Sequence, residues 1–156
     1  MTTAWLRDPW WWTVCGLGVG AVLGARMLLG PGLGPGLAPW FMPGWPALLM
    51  FALVYPVLEE LVFRGVLQPW LLRRTAARAI IGPLTLANLL TSVLFSLAHV
   101  PLRGAVHATL VFTPSLAFGL FRDRHDSVLP PIVLHVVWNT AVLCLFGQPP
   151  TGPAGE

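Results

Sequence analysis

Apolar residues in this chain come in runs of about twenty, separated by short polar or Gly/Pro-rich stretches. About twenty apolar residues are what a helix needs to cross a hydrocarbon core of about 30 Å. Trp10–Leu29 is the first such run, opened by Trp10, Trp11 and Trp12, which the pattern puts at headgroup level. Gly16, Gly20 and Gly24 recur every four residues in it and predict a flat face for close helix contact. Arg26 near its end argues against a cleaved signal peptide. The repeat GPGLGPGL, Gly30 to Leu37, reads as a turn-rich loop.

A second run starts near Trp40 or Trp45 and reaches about Leu72. It is too long for one perpendicular helix and predicts tilt, a break near Pro56 or a re-entrant portion. A third run covers Gly82 to Val100, and a fourth Ala105 to Phe121 with a kink at Pro114. Residues 122–126, RDRHD, read as a polar connection before a fifth run, Val128 to Phe146, and the tail PPTGPAGE reads as frayed. The pattern predicts an all-α, polytopic transmembrane bundle of about five spans, the second long or broken. It forms a single membrane domain over 1–156, with its core at about 45–147.

Composition agrees. Charged residues make up 10% of the 156, against about 25% in soluble domains. Residues of the apolar class reach 56%, more than a soluble globule of this size hides. All nine basic residues are Arg, and they flank the spans rather than forming a patch for nucleic acid. With the N-terminus inside, Arg7, Arg73, Arg74, Arg78, Arg122 and Arg124 are cytoplasmic and Arg103 alone lies outside. The two cysteines, Cys15 and Cys144, sit in apolar runs and read as small hydrophobes.

Carboxylates inside a span cost roughly 2.5–3.5 kcal/mol each on insertion scales, so their presence asks for a reason. Glu59 and Glu60 are adjacent in YPVLEELVFRG. On a helix Glu60 and Arg64 share a face and can pair, while Glu59 lies about 100° round from Glu60. The spacing predicts a division of labour, with Glu60 neutralised by Arg64 and Glu59 left to face something else. His99 ends the third run, with Phe95 one turn earlier, and His135 and Asn139 lie four apart in the fifth. One carboxylate, two imidazoles and an amide are the parts needed to activate water and stabilise an oxyanion. Each motif alone has a structural reading as well: an ion pair, an interfacial histidine, interhelical glue. His107 and His125 stay with that reading, and Trp138 and Phe63 with packing or pocket lining.

The ordered set Glu59-Glu60-x-x-x-Arg64, Phe95-x-x-x-His99 and His135-x-x-x-Asn139 resembles the CPBP family, which comprises CaaX prenyl endopeptidases and bacteriocin-processing or Abi proteins, glutamic-type intramembrane proteases. LANLLTSVLFSLAHV and FTPSLAFGLFRDR look like its short myxosortase branch, of the JDVT-CTERM type. The resemblance implies that Glu59 is the general base for water, that His99 orients or deprotonates that water, and that His135 and Asn139 donate to the oxyanion. It implies a supporting ion pair of Glu60 with Arg64, and a pocket shaped by Phe95. The implied substrate is a membrane protein with a C-terminal transmembrane or sorting tail, in a bacterial inner membrane with the N-terminus cytoplasmic. The chain is much shorter than the CaaX endopeptidases, which weakens prenyl recognition.

No cofactor is expected. Zinc is the second choice, because no H-E-x-x-H is present and an amide is a poor zinc ligand. The alternatives are a CaaX-type prenyl-protein endopeptidase, a non-catalytic bacteriocin-immunity or binding protein on the same scaffold, and a proton or ion pathway using the intramembrane acids.

Overall fold

A computed structural model describes residues 3–29 and 44–147. The GPGLGPGL segment, Trp40 and the PPTGPAGE tail lie outside the described residues. Among the described residues four helices are long and apolar enough to cross a membrane: α1 (Pro9–Leu29), α2 (Trp45–Leu72), α3 (Leu86–His125) and α4 (Leu129–Phe146). The chain is an all-α bundle of such helices. Large apolar side chains are left exposed along them, Leu28 at 88% and Val106 at 77% among them, a surface that suits lipid. The described residues cluster into two units, one of residues up to 58 with those from 133 onward, the other of residues 59–132, each described by itself.

In the first unit α1 begins with a cap: the Asp8 carboxylate accepts from the Trp10 amide at 3.0 Å, and Pro9 fills the first turn. The Trp triplet divides, because successive helical residues point about 100° apart. Trp10 and Trp12 are exposed, whereas Trp11 is buried edge-on to Trp5 at 4.8 Å. The close helix contact falls on Gly18 rather than on Gly16, Gly20 and Gly24. A Cβ at Gly18 would collide with the Trp138 ring, whereas one at each of the other three meets nothing within 4 Å. Trp138 also donates to the Cys15 carbonyl at 3.1 Å, and the Arg26 guanidinium lies over the Phe146 ring at 5.9 Å. Since 18 faces 138 and 26 faces 146, α1 and α4 run parallel. Ala47, Ala52 and Leu143 form a small core with Leu48 and Phe51.

The long second run is one continuous helix, neither broken nor re-entrant. Two π-helical stretches, Leu48–Val54 and Leu61–Leu67, lie within it, and each runs into a proline soon after: Pro56 and Pro69. In each stretch the terminal amide bonds five residues back, Tyr55 to the Met50 carbonyl and Gln68 to the Phe63 carbonyl. The next donor in each series is a proline, which has no N–H, so the carbonyls of Phe51 and Arg64 lose their partners. Side chains supply them. Asn139 Nδ2 donates to the Phe51 carbonyl at 3.0 Å, and Arg122 Nε to the Arg64 carbonyl at 2.9 Å. The expected break at Pro56 is thus absorbed by a wider helical turn and a borrowed donor.

In the second unit the third span begins later than the apolar run. Ile80–Ile81 pairs antiparallel with Leu84–Thr85 across a Gly82-Pro83 turn, with Gly82 at φ 62. Thr85 then caps α3 by accepting from the Asn88 amide at 3.0 Å. The forty residues of α3 are two arms folded at Gly104, whose φ 78 and ψ 169 are accessible essentially to glycine alone. Asn88 Nδ2 donates to the Leu116 carbonyl at 3.0 Å, and the Ser96 hydroxyl donates to the Ala108 carbonyl. Both pairs are antiparallel about the same turn, so α3 is a helical hairpin and the described residues make five helical passes. The turn falls between the third and fourth runs, where the apolar pattern also divides, and the returning arm stays helical through Pro114. The RDRHD segment is not a loop: helix continues to His125 and ends at Asp126 in the left-handed region.

The second arm presents Ser115, Gly119, Arg122 and Asp123 to α2. Gln68 Nε2 donates to the Gly119 carbonyl at 2.9 Å and to Asp123 Oδ1 at 2.7 Å, while Thr85 donates to Asp123 Oδ2 at 2.7 Å. The polar residues of the supposed loop are therefore clamps. Replacing Arg122 by Met is expected to cost about 1.5–3 kcal/mol of unfolding free energy. In a Pro69→Ala background, which returns an N–H to the Arg64 carbonyl, the loss shrinks, giving a coupling of about 1 kcal/mol in detergent unfolding. Additive losses would contradict the borrowed-donor account.

Candidate active site

Arg64 is the centre of the second unit. It and Glu60 are both fully buried, with Arg64 Nη1 3.3 Å from Glu60 Oε1, the pairing that four-residue spacing predicts. Arg64 Nη2 donates to the Ser115 carbonyl at 2.9 Å and to the Ser115 hydroxyl. The guanidinium lies 4.7 Å from the Phe95 ring centre, 5.5 Å from Phe118 and 5.9 Å from Phe63. A buried cation is therefore met by a carboxylate, a carbonyl, a hydroxyl and three aromatic faces.

Glu59 is arranged differently. Its side chain keeps 32% of its exposure and that of His99 keeps 17%, with His99 Nε2 3.9 Å from Glu59 Oε1. His99 Nδ1 is 2.8 Å from the Phe95 carbonyl. A carbonyl only accepts, so Nδ1 carries the proton, and in the neutral ring Nε2 is left as an acceptor. Two acceptors 3.9 Å apart are beyond direct hydrogen-bond range. They suit one water that donates a hydrogen to each, which leaves its oxygen lone pairs outward. Phe95 links the two parts of the site. It is buried, its ring centre is 4.6 Å from His99 and 5.1 Å from Phe63, and its carbonyl sets the His99 tautomer.

Of the residues predicted from sequence, the structure brings Glu59, Glu60, Arg64, Phe95 and His99 together within the second unit. His135 and Asn139 belong to the first unit, one turn apart on α4. His135 is buried, and Asn139 spends one Nδ2 hydrogen on the Phe51 carbonyl. Sequence reasoning passed over His107, whose ring lies 5.8 Å from that of His99. The break between the third and fourth runs was in the sequence reading, and what it lacked was that the returning arm brings His107 back onto His99. Ser115 was also passed over, as no spacing rule links it to Arg64. Among the described residues no three His, Cys, Asp or Glu side chains form a group that could hold a metal ion.

A family model described as type II CAAX prenyl endopeptidase Rce1-like matches residues 40–141. No curated protein and no solved structure matches the chain.

The contrast between the two glutamates is measurable as stability. Arg64→Met strands the buried Glu60 and is expected to cost about 3–5 kcal/mol. Glu59→Gln, partly open to the surroundings and nearly isosteric, is expected to cost less than about 1 kcal/mol. Unfolding in detergent followed by intrinsic Trp fluorescence reads both, and equal losses would contradict the assignment.

Proposed function

The chain belongs to the Rce1-like family of type II CAAX prenyl endopeptidases, a protease family, and from that premise we propose that it is an intramembrane endopeptidase whose attacking water is activated by Glu59 and His99. The observation that carries the reading is the pair of acceptors, Glu59 Oε1 and His99 Nε2, at 3.9 Å, with the histidine tautomer set by the Phe95 carbonyl.

Water held between them gives one proton to Glu59 as its oxygen bonds to the scissile carbonyl carbon, and the carbonyl π pair moves to oxygen. By the resemblance, His135 and Asn139 are the proposed donors to that oxyanion. Asn139 has a second Nδ2 hydrogen to offer, the first being spent on Phe51. Collapse re-forms the carbonyl and breaks the C–N bond, and the proton held by Glu59 passes to the leaving amine. Glu60 and Arg64 hold the turn that carries Glu59, and Phe95 shapes the pocket. The proposed chemistry runs on a carboxylate and an imidazole, with no metal.

The proposed substrate is a membrane protein with a C-terminal transmembrane or sorting tail, cut near that tail in the manner of the myxosortase branch. The proposed location is the bacterial inner membrane with the N-terminus cytoplasmic, which the distribution of Arg residues supports.

Co-expression with single-span tail proteins tagged at both ends, beside a prenylated CaaX reporter, tests the activity and the substrate class together. Wild type is expected to remove the tag from the tail clients and spare the prenylated reporter. Glu59→Gln at equal membrane level is expected to be slower by about 10²–10⁴-fold. Unchanged cleavage by Glu59→Gln would overturn the mechanism. Cleavage of the prenylated reporter alone would overturn the tail assignment and keep the protease.

A further inference from the structure

His107 reaches His99 only because α3 folds back on itself. Eight residues of unbroken helix would separate the two by about 12 Å of rise. Instead their ring centres lie 5.8 Å apart with the planes tilted by 33°. The Gly104 backbone makes the turn, and the Ser96 hydroxyl, donating to the Ala108 carbonyl, closes the hairpin beside it. The ring of His99 is thereby in contact with two others, Phe95 at 4.6 Å on its own arm and His107 on the returning arm. Both separations fall within the range of about 4.5–7 Å in which tilted aromatic rings attract.

The contact bears on the chemistry through the orientation of one ring. His99 is tied at Nδ1 to the Phe95 carbonyl, and its Nε2 lies toward Glu59. Rotation about the bond from Cβ to the ring would break the first contact and carry Nε2 away from the second. A torsion of this kind is broad and poorly fixed by the side chain alone, so the Nδ1 contact and the neighbouring rings hold it together. Phe95 is buried and fixed beneath Arg64, whereas His107 comes from the other arm and closes against His99 only when the hairpin is formed.

The geometry points to His107 as a positioning residue for the reaction: its ring, brought back by the Gly104 turn, holds the plane of His99 so that Nε2 stays on the Glu59 carboxylate. The role belongs to the ring surface rather than to a nitrogen of His107. It rests on the reading of Glu59 and His99 as the water-activating pair.

The test compares wild type, His107→Ala and His107→Phe, purified in detergent and matched for folded fraction by size exclusion. A fluorogenic peptide spanning a cleaved client junction gives kcat and KM, and nitrogen NMR of histidine-labelled protein gives the His99 tautomer. His107→Ala is expected to lower kcat by about 10–100-fold with KM within about twofold, and to mix the Nδ1–H and Nε2–H signals of His99. His107→Phe is expected to restore the single tautomer and most of kcat. Wild-type kcat with one tautomer in His107→Ala would overturn the proposal. So would a His107→Phe no better than His107→Ala, which would hand the role to a nitrogen. The NMR comparison needs no cleavage. A wild type that cuts nothing counts against the proposed function, while the tautomer signals still decide the role of His107.

Discussion

A guanidinium cannot be left alone in a hydrocarbon layer, and the arrangement of the second unit follows from burying that of Arg64. Its charge is met by Glu60 at 3.3 Å, its Nη2 hydrogens by Ser115, and its faces by Phe63, Phe95 and Phe118. Those contacts fix the second arm of the hairpin against α2 and set Phe95 against both. The backbone obeys the same demand, because Pro69 removes the donor to the Arg64 carbonyl and Arg122 replaces it. Side chain and carbonyl of one residue thus tie α2 to one arm at Ser115 and again at Arg122, two turns apart. Such a lock is costly to bury and costlier to break, which makes it a rigid mount.

The mount explains why two adjacent glutamates differ. Glu60 is spent on Arg64 and sealed. Glu59, about 100° further round the helix, is turned to His99 and keeps access. Phe95 lies in both arrangements, its ring under Arg64 and its carbonyl on His99 Nδ1. A displaced Arg64 therefore carries to the imidazole through one residue. The geometry of the Glu59–His99 pair and the burial of Arg64 are coupled here by packing.

Much of this was legible in the sequence, and what was hidden has physical reasons. Runs of about twenty apolar residues specify membrane helices because every backbone group must be satisfied within the layer. The pairing of Glu60 with Arg64 follows from helical spacing alone. Helix limits were less legible where hydrophobicity and local geometry disagree: the third run starts at Gly82, but the Gly82-Pro83 turn and the pairing of Leu84–Thr85 with Ile80–Ile81 delay the helix to Leu86. The polar RDRHD segment looked like a loop, yet Arg122 and Asp123 answer groups on α2 that no local pattern reveals. Gly18 was invisible as the contact glycine because the choice among glycines is made by Trp138, more than a hundred residues away. His107 was hidden because a break between two runs does not say which residues of the returning arm meet which of the first.

The account stands or falls on Glu59 acting as a base on water and never bonding to the substrate. Single-turnover cleavage in ¹⁸O water, with the new C-terminus and the Glu59 peptide both analysed by mass spectrometry, tests that directly. The account predicts one solvent oxygen in the new carboxylate and none in Glu59. Solvent oxygen in the Glu59 side chain would reveal an acyl-enzyme formed on that carboxylate and contradict it.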